Sequence, residues 1–280
     1  MKIESAIKKA YSDLKQNNIR SALLDSEILM SKVLKKDRTE VLLNSEKQLN
    51  NKDYIYFRKL ISSRLKNKPI AYLTSEKSFW KYKFEINEKV LIPRPDTELI
   101  IEQVLKIYKN KCCINFLEVG VGSGCIILSI LKEKKSFLGQ GVDISKECIK
   151  ISKKNAINLG VQNRLKLYKS DIDNFSSAKY DLIISNPPYI KKLDFKNLKR
   201  DVEKFEPRLA LDGGLEGLSC FRKIIKKSSE LIKNRGKLIL EIACDQKRDV
   251  AKILTDNGFY INNTLKDLAN NDRCIISTKI

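Results

Sequence analysis

Phe116-Leu117-Glu118-Val119-Gly120-Val121-Gly122-Ser123-Gly124-Cys125-Ile126 is a buried-looking strand that breaks into alternating glycines and restarts as a helix. Glycine at every second position allows a tight turn and lets a ligand approach the backbone closely. Outward from this loop, strand-like and helix-like segments alternate. The candidate strands are Cys113–Glu118, Leu138–Asp143, Leu165–Tyr168, Tyr180–Ser185 and Lys237–Ile242. Such alternation predicts an α/β fold with a mostly parallel sheet covered on both faces. Phe259–Thr264 and Arg273–Lys279 follow with no helix between them, which predicts an antiparallel hairpin at the sheet edge.

A glycine loop of this form also suits a dinucleotide. That fingerprint reads Gly-x-Gly-x-x-Gly and seats a pyrophosphate on the helix N-terminus. Here the third glycine comes one residue early, and Glu118, just before the loop, would repel a pyrophosphate. Glu118 is placed instead to accept from an ammonium group. Asp143 ends the next strand, in Gly141-Val142-Asp143-Ile144-Ser145, where it can chelate ribose hydroxyls. Ser170-Asp171-Ile172 at a third strand end suits the edge and face of an adenine. Any one of these acids alone also reads as a helix cap or a surface charge. Three in order around one glycine loop favour S-adenosylmethionine.

Asn186-Pro187-Pro188-Tyr189 follows the strand Tyr180–Ser185, at the sheet edge where open α/β folds bind ligands. Two prolines fix two φ angles and remove two backbone donors, leaving carbonyls held rigidly and free to accept. The Asn186 amide oxygen adds another acceptor. The cluster suits a planar NH2 group, although an isolated Asn-Pro-Pro also reads as a simple proline turn.

Composition bounds the rest. The 280 residues suffice for a catalytic domain with a small partner domain, and a hydrophobic content of 42% is ordinary for a soluble globular protein. No run of about 18 apolar residues offers a membrane span, and Met1–Ser5 lacks the apolar core of a signal peptide. The seven cysteines show no Cys-x-x-Cys spacing and read as reduced core thiols, neither a disulfide frame nor a zinc site. There is no histidine, which removes the commonest general base and metal ligand. The net charge of +21 points either to an acidic partner or to a compositional bias. Only 12 of the 55 basic residues are arginine and the lysines form no dense block, which weighs against DNA readout.

Residues 1–70 read as a small helical domain. Ser21–Leu34 would place Leu23, Leu24, Ile28, Val33 and Leu34 near one face, with Ser21 as N-cap. Asn51–Lys66 repeats the pattern through Tyr54, Phe57, Leu60 and Ile61, and Pro69 ends it. Residues 71–95 read as a hairpin connector, with Phe79–Ile86 alternating and Val90–Pro95 extended between prolines. A helix starts near Pro95–Thr97 and opens the third segment, 96–280.

These motifs resemble the HemK/PrmC family, the glutamine N5-methyltransferases that modify peptide chain release factors. The resemblance covers nearly the whole chain. Its specific parts are Leu91-Ile92-Pro93-Arg94-Pro95-Asp96-Thr97-Glu98 and the segment Glu206–Leu218, and it extends to Pro69–Thr74 with Phe79-Trp80. Asn-Pro-Pro-Tyr is shared with adenine N6-methyltransferases and specifies only the NH2 group. Ser75, Lys81, Ile172 and Glu216 depart from the family's usual residues.

The resemblance implies a Rossmann-like class I methyltransferase domain with a seven-stranded sheet, preceded by an N-terminal substrate-recognition domain. It implies S-adenosylmethionine held by Glu118, Gly120, Val121, Gly122, Ser123, Gly124, Asp143, Asp171, Ile172 and Asn186, with no metal. The catalytic residues would be Asn186 and Pro187, and the substrate glutamine would lie against Asn186, Pro187, Pro188 and Tyr189. The implied substrate is the glutamine of the release factor's Gly-Gly-Gln loop, methylated on its amide nitrogen by a cytoplasmic monomer. A ribosomal-protein glutamine or an exocyclic amine of RNA or DNA is the alternative target.

Overall fold

The computed structural model describes residues 1–177 and 179–280. Two compact units emerge: residues 1–76 with 199–205, and residues 77–198 with 206–280.

The first unit is helical, with α1 (Ile3–Gln16), α2 (Ala22–Leu34), α3 (Arg38–Leu43), α4 (Asn51–Leu65) and α5 (Ile70–Thr74). Ile7, Leu14, Leu29, Met30, Phe57 and Ile61 form its core. Asp37 and Asn50 cap α3 and α4 by accepting from the backbone N–H three residues on. Ser21 makes no such bond. The buried face of α2 also differs from expectation: Leu23 and Leu24 are exposed, whereas Asp25, Ser26 and Glu27 are buried with Leu29 and Met30. The reason is ion pairing. Arg64 from α4 meets Asp25 at 2.7 Å, and Arg38 from α3 meets Glu27 at 2.6 Å. Charges with partners can occupy a face that the apolar pattern assigns elsewhere.

The second unit opens with a hairpin, β1 (Glu76–Phe79) and β2 (Tyr82–Glu85), turning at Trp80 with φ 56°. A short 3-10 turn at Pro95–Thr97 leads into α6 (Glu98–Ile107). Then follow β3 (Asn115–Val119), α7 (Cys125–Glu133), β4 (Leu138–Asp143), α8 (Lys146–Asn158), β5 (Leu165–Lys169) and β6 (Tyr180–Ser185). The short helix α9 (Arg200–Phe205) belongs to the first unit. α10 (Ser219–Leu231), β7 (Ile232–Glu241), α11 (Lys247–Asp256), β8 (Phe259–Lys266) and β9 (Asp272–Lys279) complete the chain.

The seven-stranded sheet runs β5-β4-β3-β6-β7-β9-β8. Neighbours from β5 to β7 are parallel, and β9 is antiparallel to both β7 and β8. In the central strands both faces are buried, and successive residues divide between them. Leu182, Ile184 and Ile239 join the core containing α6 and α7, while Ile183, Leu238 and Leu240 join that of α10 and α11. The strand order reverses between β3 and β6. The crevice beyond the carboxyl ends of those strands is where open α/β sheets place a ligand.

Candidate active site

A cavity of about 700 Å³ opens there, within the range of small-molecule sites. Glu118, Gly120, Val121, Gly122 and Ser123 line it from the glycine loop. Gly120 and Gly122 lie at φ 77° and 57°, where a side chain is strained, so the loop bends with its backbone bare towards the cavity. Gly124 does not line the cavity. It starts α7 at φ 81°, where a Cβ would come within 2.8 Å of Leu128, so its part is to fit the loop to the helix.

Glu118 is 1% exposed, and its Oε2 accepts from the Ile127 N–H at 2.9 Å. Burial pushes its carboxyl well above the usual range, with nearby Asp143 adding to the effect against that hydrogen bond. Asp143 at the end of β4 accepts the Gly122 N–H at 2.9 Å and the Ser145 N–H at 2.8 Å. The same carboxylate that faces the cavity therefore holds the glycine loop. Burial raises its pKa too, opposed by those two bonds. Asp171 and the buried Ile172 line the cavity at the end of β5, where Asp171 caps a 3-10 turn through the Asp173 N–H.

Asn186, Pro187 and Pro188 line the opposite wall. Ser185 ties this loop to the glycine loop's strand, donating to the Val119 carbonyl at 2.7 Å. The Asn186 Nδ2 donates to Thr97 Oγ1 at 3.2 Å, and no donor among the described residues engages Asn186 Oδ1 or the Pro187 carbonyl. Tyr189 is absent from the lining. It packs against the core under α10, and its hydroxyl donates to Glu241 Oε1 at 3.4 Å. Its carbonyl accepts from the buried Gln246 amide at 3.1 Å.

Two residues were not singled out in the sequence: Thr97, 2% exposed and lining the cavity, and Glu241, 2% exposed at the end of β7, outside the lining but bonded to the Tyr189 hydroxyl. Burial pushes the Glu241 carboxyl up to about 7, against the Thr97 hydroxyl and the Arg273 guanidinium, which favour its charged form. An acid at a strand end was the signal that pointed to Glu118, Asp143 and Asp171, and it applied equally to Glu241.

The cysteines divide. Cys125, Cys148 and Cys274 are buried, but Cys112, Cys113 and Cys244 are exposed and Cys220 is intermediate, so most are not core thiols. All seven are free.

Comparison with known proteins follows the same division of the chain. Residues 5–74 match the family model of the PrmC N-terminal domain, and residues 96–216 match that of the methyltransferase small domain. The release factor glutamine methyltransferase of Clostridium acetobutylicum is 37% identical over 287 aligned positions, spanning 100% of this chain and 99% of the relative. The chain belongs to the release factor glutamine methyltransferase family. The member from Caulobacter vibrioides is 32% identical, over 96% of this chain and 94% of its own. Among solved structures, the ribosomal protein L11 methylase of Lactobacillus delbrueckii subsp. bulgaricus shares the fold, with a TM-score of 0.52 at 17% identity over 70% of this chain and 84% of that one.

Of the four residues read above as departures, Ser75, Lys81 and Glu216 lie outside the cavity lining. Ser75 takes a left-handed conformation, φ 61°, a region that favours glycine. Lys81 pairs with Glu133 at 3.0 Å. Glu216 is exposed and pairs with Arg222 at 3.0 Å. Ile172 presents an aliphatic surface to the cavity.

Proposed function

We propose that this chain transfers a methyl group from S-adenosylmethionine to the side-chain amide nitrogen of the glutamine in the Gly-Gly-Gln loop of peptide chain release factors. The observation that carries the reading is the pair of acceptors unengaged among the described residues, Asn186 Oδ1 and the Pro187 carbonyl, on residues that line the same cavity as the glycine loop.

The residues present fit the cofactor. The bare backbone at Gly120 and Gly122 leaves open space where a Cβ would project. Glu118 is set to accept from the ammonium group, Asp143 from the ribose hydroxyls, and Asp171 with Ile172 to border the adenine. When bound, the cofactor supplies a methyl group already activated on a sulfonium.

An amide nitrogen is a poor nucleophile because its lone pair is delocalised into the carbonyl. Asn186 Oδ1 and the Pro187 carbonyl accept from the two N–H groups of the substrate amide, orient the nitrogen and stabilise positive charge as it develops. Two prolines hold these acceptors in place beforehand, so little reorganisation accompanies the reaction. The chemistry draws on no histidine. Helices α1 to α5 supply the surface that recognises the folded substrate.

The test is incubation of the purified protein with labelled S-adenosylmethionine and either release factor or total RNA. Label on the Gly-Gly-Gln glutamine, located by mass spectrometry, is the expected result. Label confined to RNA would overturn the reading.

A further inference from the structure

An asparagine amide has an acceptor at one end and two donors at the other, and the two ends have nearly the same shape. Only one orientation of Asn186 serves an NH2 substrate. With Oδ1 in the cavity the residue accepts; turned over, its own N–H groups would face those of the substrate. The hydrogen bond from Nδ2 to Thr97 Oγ1 selects the productive orientation, but a threonine hydroxyl can also donate. Were Thr97 to donate its proton to Asn186, the amide would be held the wrong way round.

Where the Thr97 proton goes therefore matters. Thr97 is buried and its hydroxyl bears on the Glu241 carboxyl, although no hydrogen bond from it reaches Oε2 in this structure. One Glu241 oxygen receives the Tyr189 hydroxyl, and the other, Oε2, is buried without a hydrogen-bond partner among the described residues. Burial pushes this carboxyl up to about 7 and Asp96 adds to the effect, against the Thr97 hydroxyl and the Arg273 guanidinium, which favour its charged form. Once ionised, above about pH 7, the carboxylate only accepts, so it leaves the acceptor side of Thr97 to Asn186.

We propose that Thr97 and Glu241 are positioning residues for methyl transfer: Glu241 accepts a hydrogen bond from the Thr97 hydroxyl, which keeps its proton, Thr97 in turn only accepts from Asn186, and the Asn186 carbonyl oxygen is thereby kept facing the cavity. The inference rests on the role of Asn186 proposed above. It assigns work to two residues outside the glycine loop and the Asn-Pro-Pro-Tyr segment. It also gives a use to the buried Glu241 that follows the apolar run Leu238–Leu240.

The test compares full-length Thr97→Val, Thr97→Ser, Glu241→Gln and Asn186→Ala by steady-state kinetics with release factor, cofactor calorimetry and thermal melting. Valine keeps the shape of Thr97 and removes the hydroxyl; serine keeps the hydroxyl. Thr97→Val should lower kcat about tenfold or more, the scale of one lost orienting hydrogen bond, with KM and cofactor affinity unchanged. Thr97→Ser should restore most of that turnover. Glu241→Gln offers Thr97 a donor as well as an acceptor and should show the same kcat-selective loss. Wild-type kcat in Thr97→Val overturns the inference, as does an equal loss in Thr97→Ser, which would make the effect one of packing. If Asn186→Ala loses turnover while Thr97→Val does not, the positioning role alone fails. If Asn186→Ala keeps full turnover, the reading beneath it fails as well.

Discussion

Arg94 and Glu206, 112 residues apart in the chain, form an ion pair that joins the segment before α6 to the segment after α9. The Glu206 side chain is 1% exposed and also accepts the Ile92 N–H at 3.4 Å. The two most specific motifs of the chain, Leu91–Glu98 and Glu206–Leu218, are thus held together, and both contribute to the cavity wall.

Replacing Arg94 by methionine would remove the guanidinium paired with the buried Glu206 carboxylate. The expected cost is about 2–3 kcal/mol, below the full range for buried pairs because Arg94 is itself about one-third exposed. Chemical denaturation measures it. An unchanged midpoint would mean that the pair adds nothing to stability.

Asn186→Ala should lower turnover by roughly 10²–10³-fold, as expected for loss of one preorganised charge-stabilising acceptor. Cofactor affinity should stay near that of the unaltered protein. A parallel fall in affinity, seen by calorimetry, would make Asn186 chiefly a cofactor residue.

Asp143→Ala should act the other way, weakening S-adenosylmethionine binding more than turnover at saturation. Each lost hydroxyl-to-carboxylate bond is worth about 1.5–3 kcal/mol. The glycine loop should slacken as well, because Asp143 Oδ2 holds the Gly122 N–H. Affinity unchanged by calorimetry would reassign the end of β4.

Glu241 makes stability depend on pH. Its folded pKa of about 7 lies above that of an unfolded glutamate, about 4.3, so the folded state holds the proton more tightly. That contribution is complete below the unfolded value and is lost as pH rises through about 7. Glu241→Gln carries no such proton. Its stability relative to the unaltered protein should therefore improve by on the order of 3 kcal/mol between pH ~5 and pH ~8. Denaturation curves that move in parallel across that range would refute the assignment.

A chain beginning at Lys77, the first residue of the second unit, should still bind S-adenosylmethionine and methylate a short Gly-Gly-Gln peptide. It should methylate intact release factor poorly, because recognition of a folded protein needs about 800 Å² on each side. If the lysine-rich surface steers docking, the rate of the full-length protein on intact substrate should fall with added salt. Full activity of the shortened chain on intact release factor would leave the helices a folding role only.

Most of the sheet was legible because both faces of its central strands are buried, so these read as short apolar runs between glycine and polar turns. β7 was not read fully. It begins at Ile232, five residues before the apolar run, and its pairing with β6 shifts between Tyr180 and Leu182. Arg235 at φ 61° marks the irregularity, and no residue type signals it in advance. In α2 the apolar pattern misled because Asp25 and Glu27 find arginine partners that lie distant in sequence. The glycine loop and Asn-Pro-Pro segment were legible since backbone conformation itself demands those residues. Thr97 stayed hidden within a recognised motif, because its contact with Asn186 spans 89 residues.

The sheet order also sets when the site is finished during synthesis. β9, the last of the seven strands to be made, lies between β7 and β8, pairing Cys274 with Glu241 and bringing Arg273 to the same carboxylate. The walls built by β3, β4 and β6 are in place well before it. Until β9 emerges, β7 presents a row of unpaired backbone groups, a known hazard for wrong association, and β8 cannot take its place in the native order. A slow or interrupted passage through the final stretch would therefore leave a chain whose cofactor pocket is largely built while Glu241 still lacks its arginine neighbour.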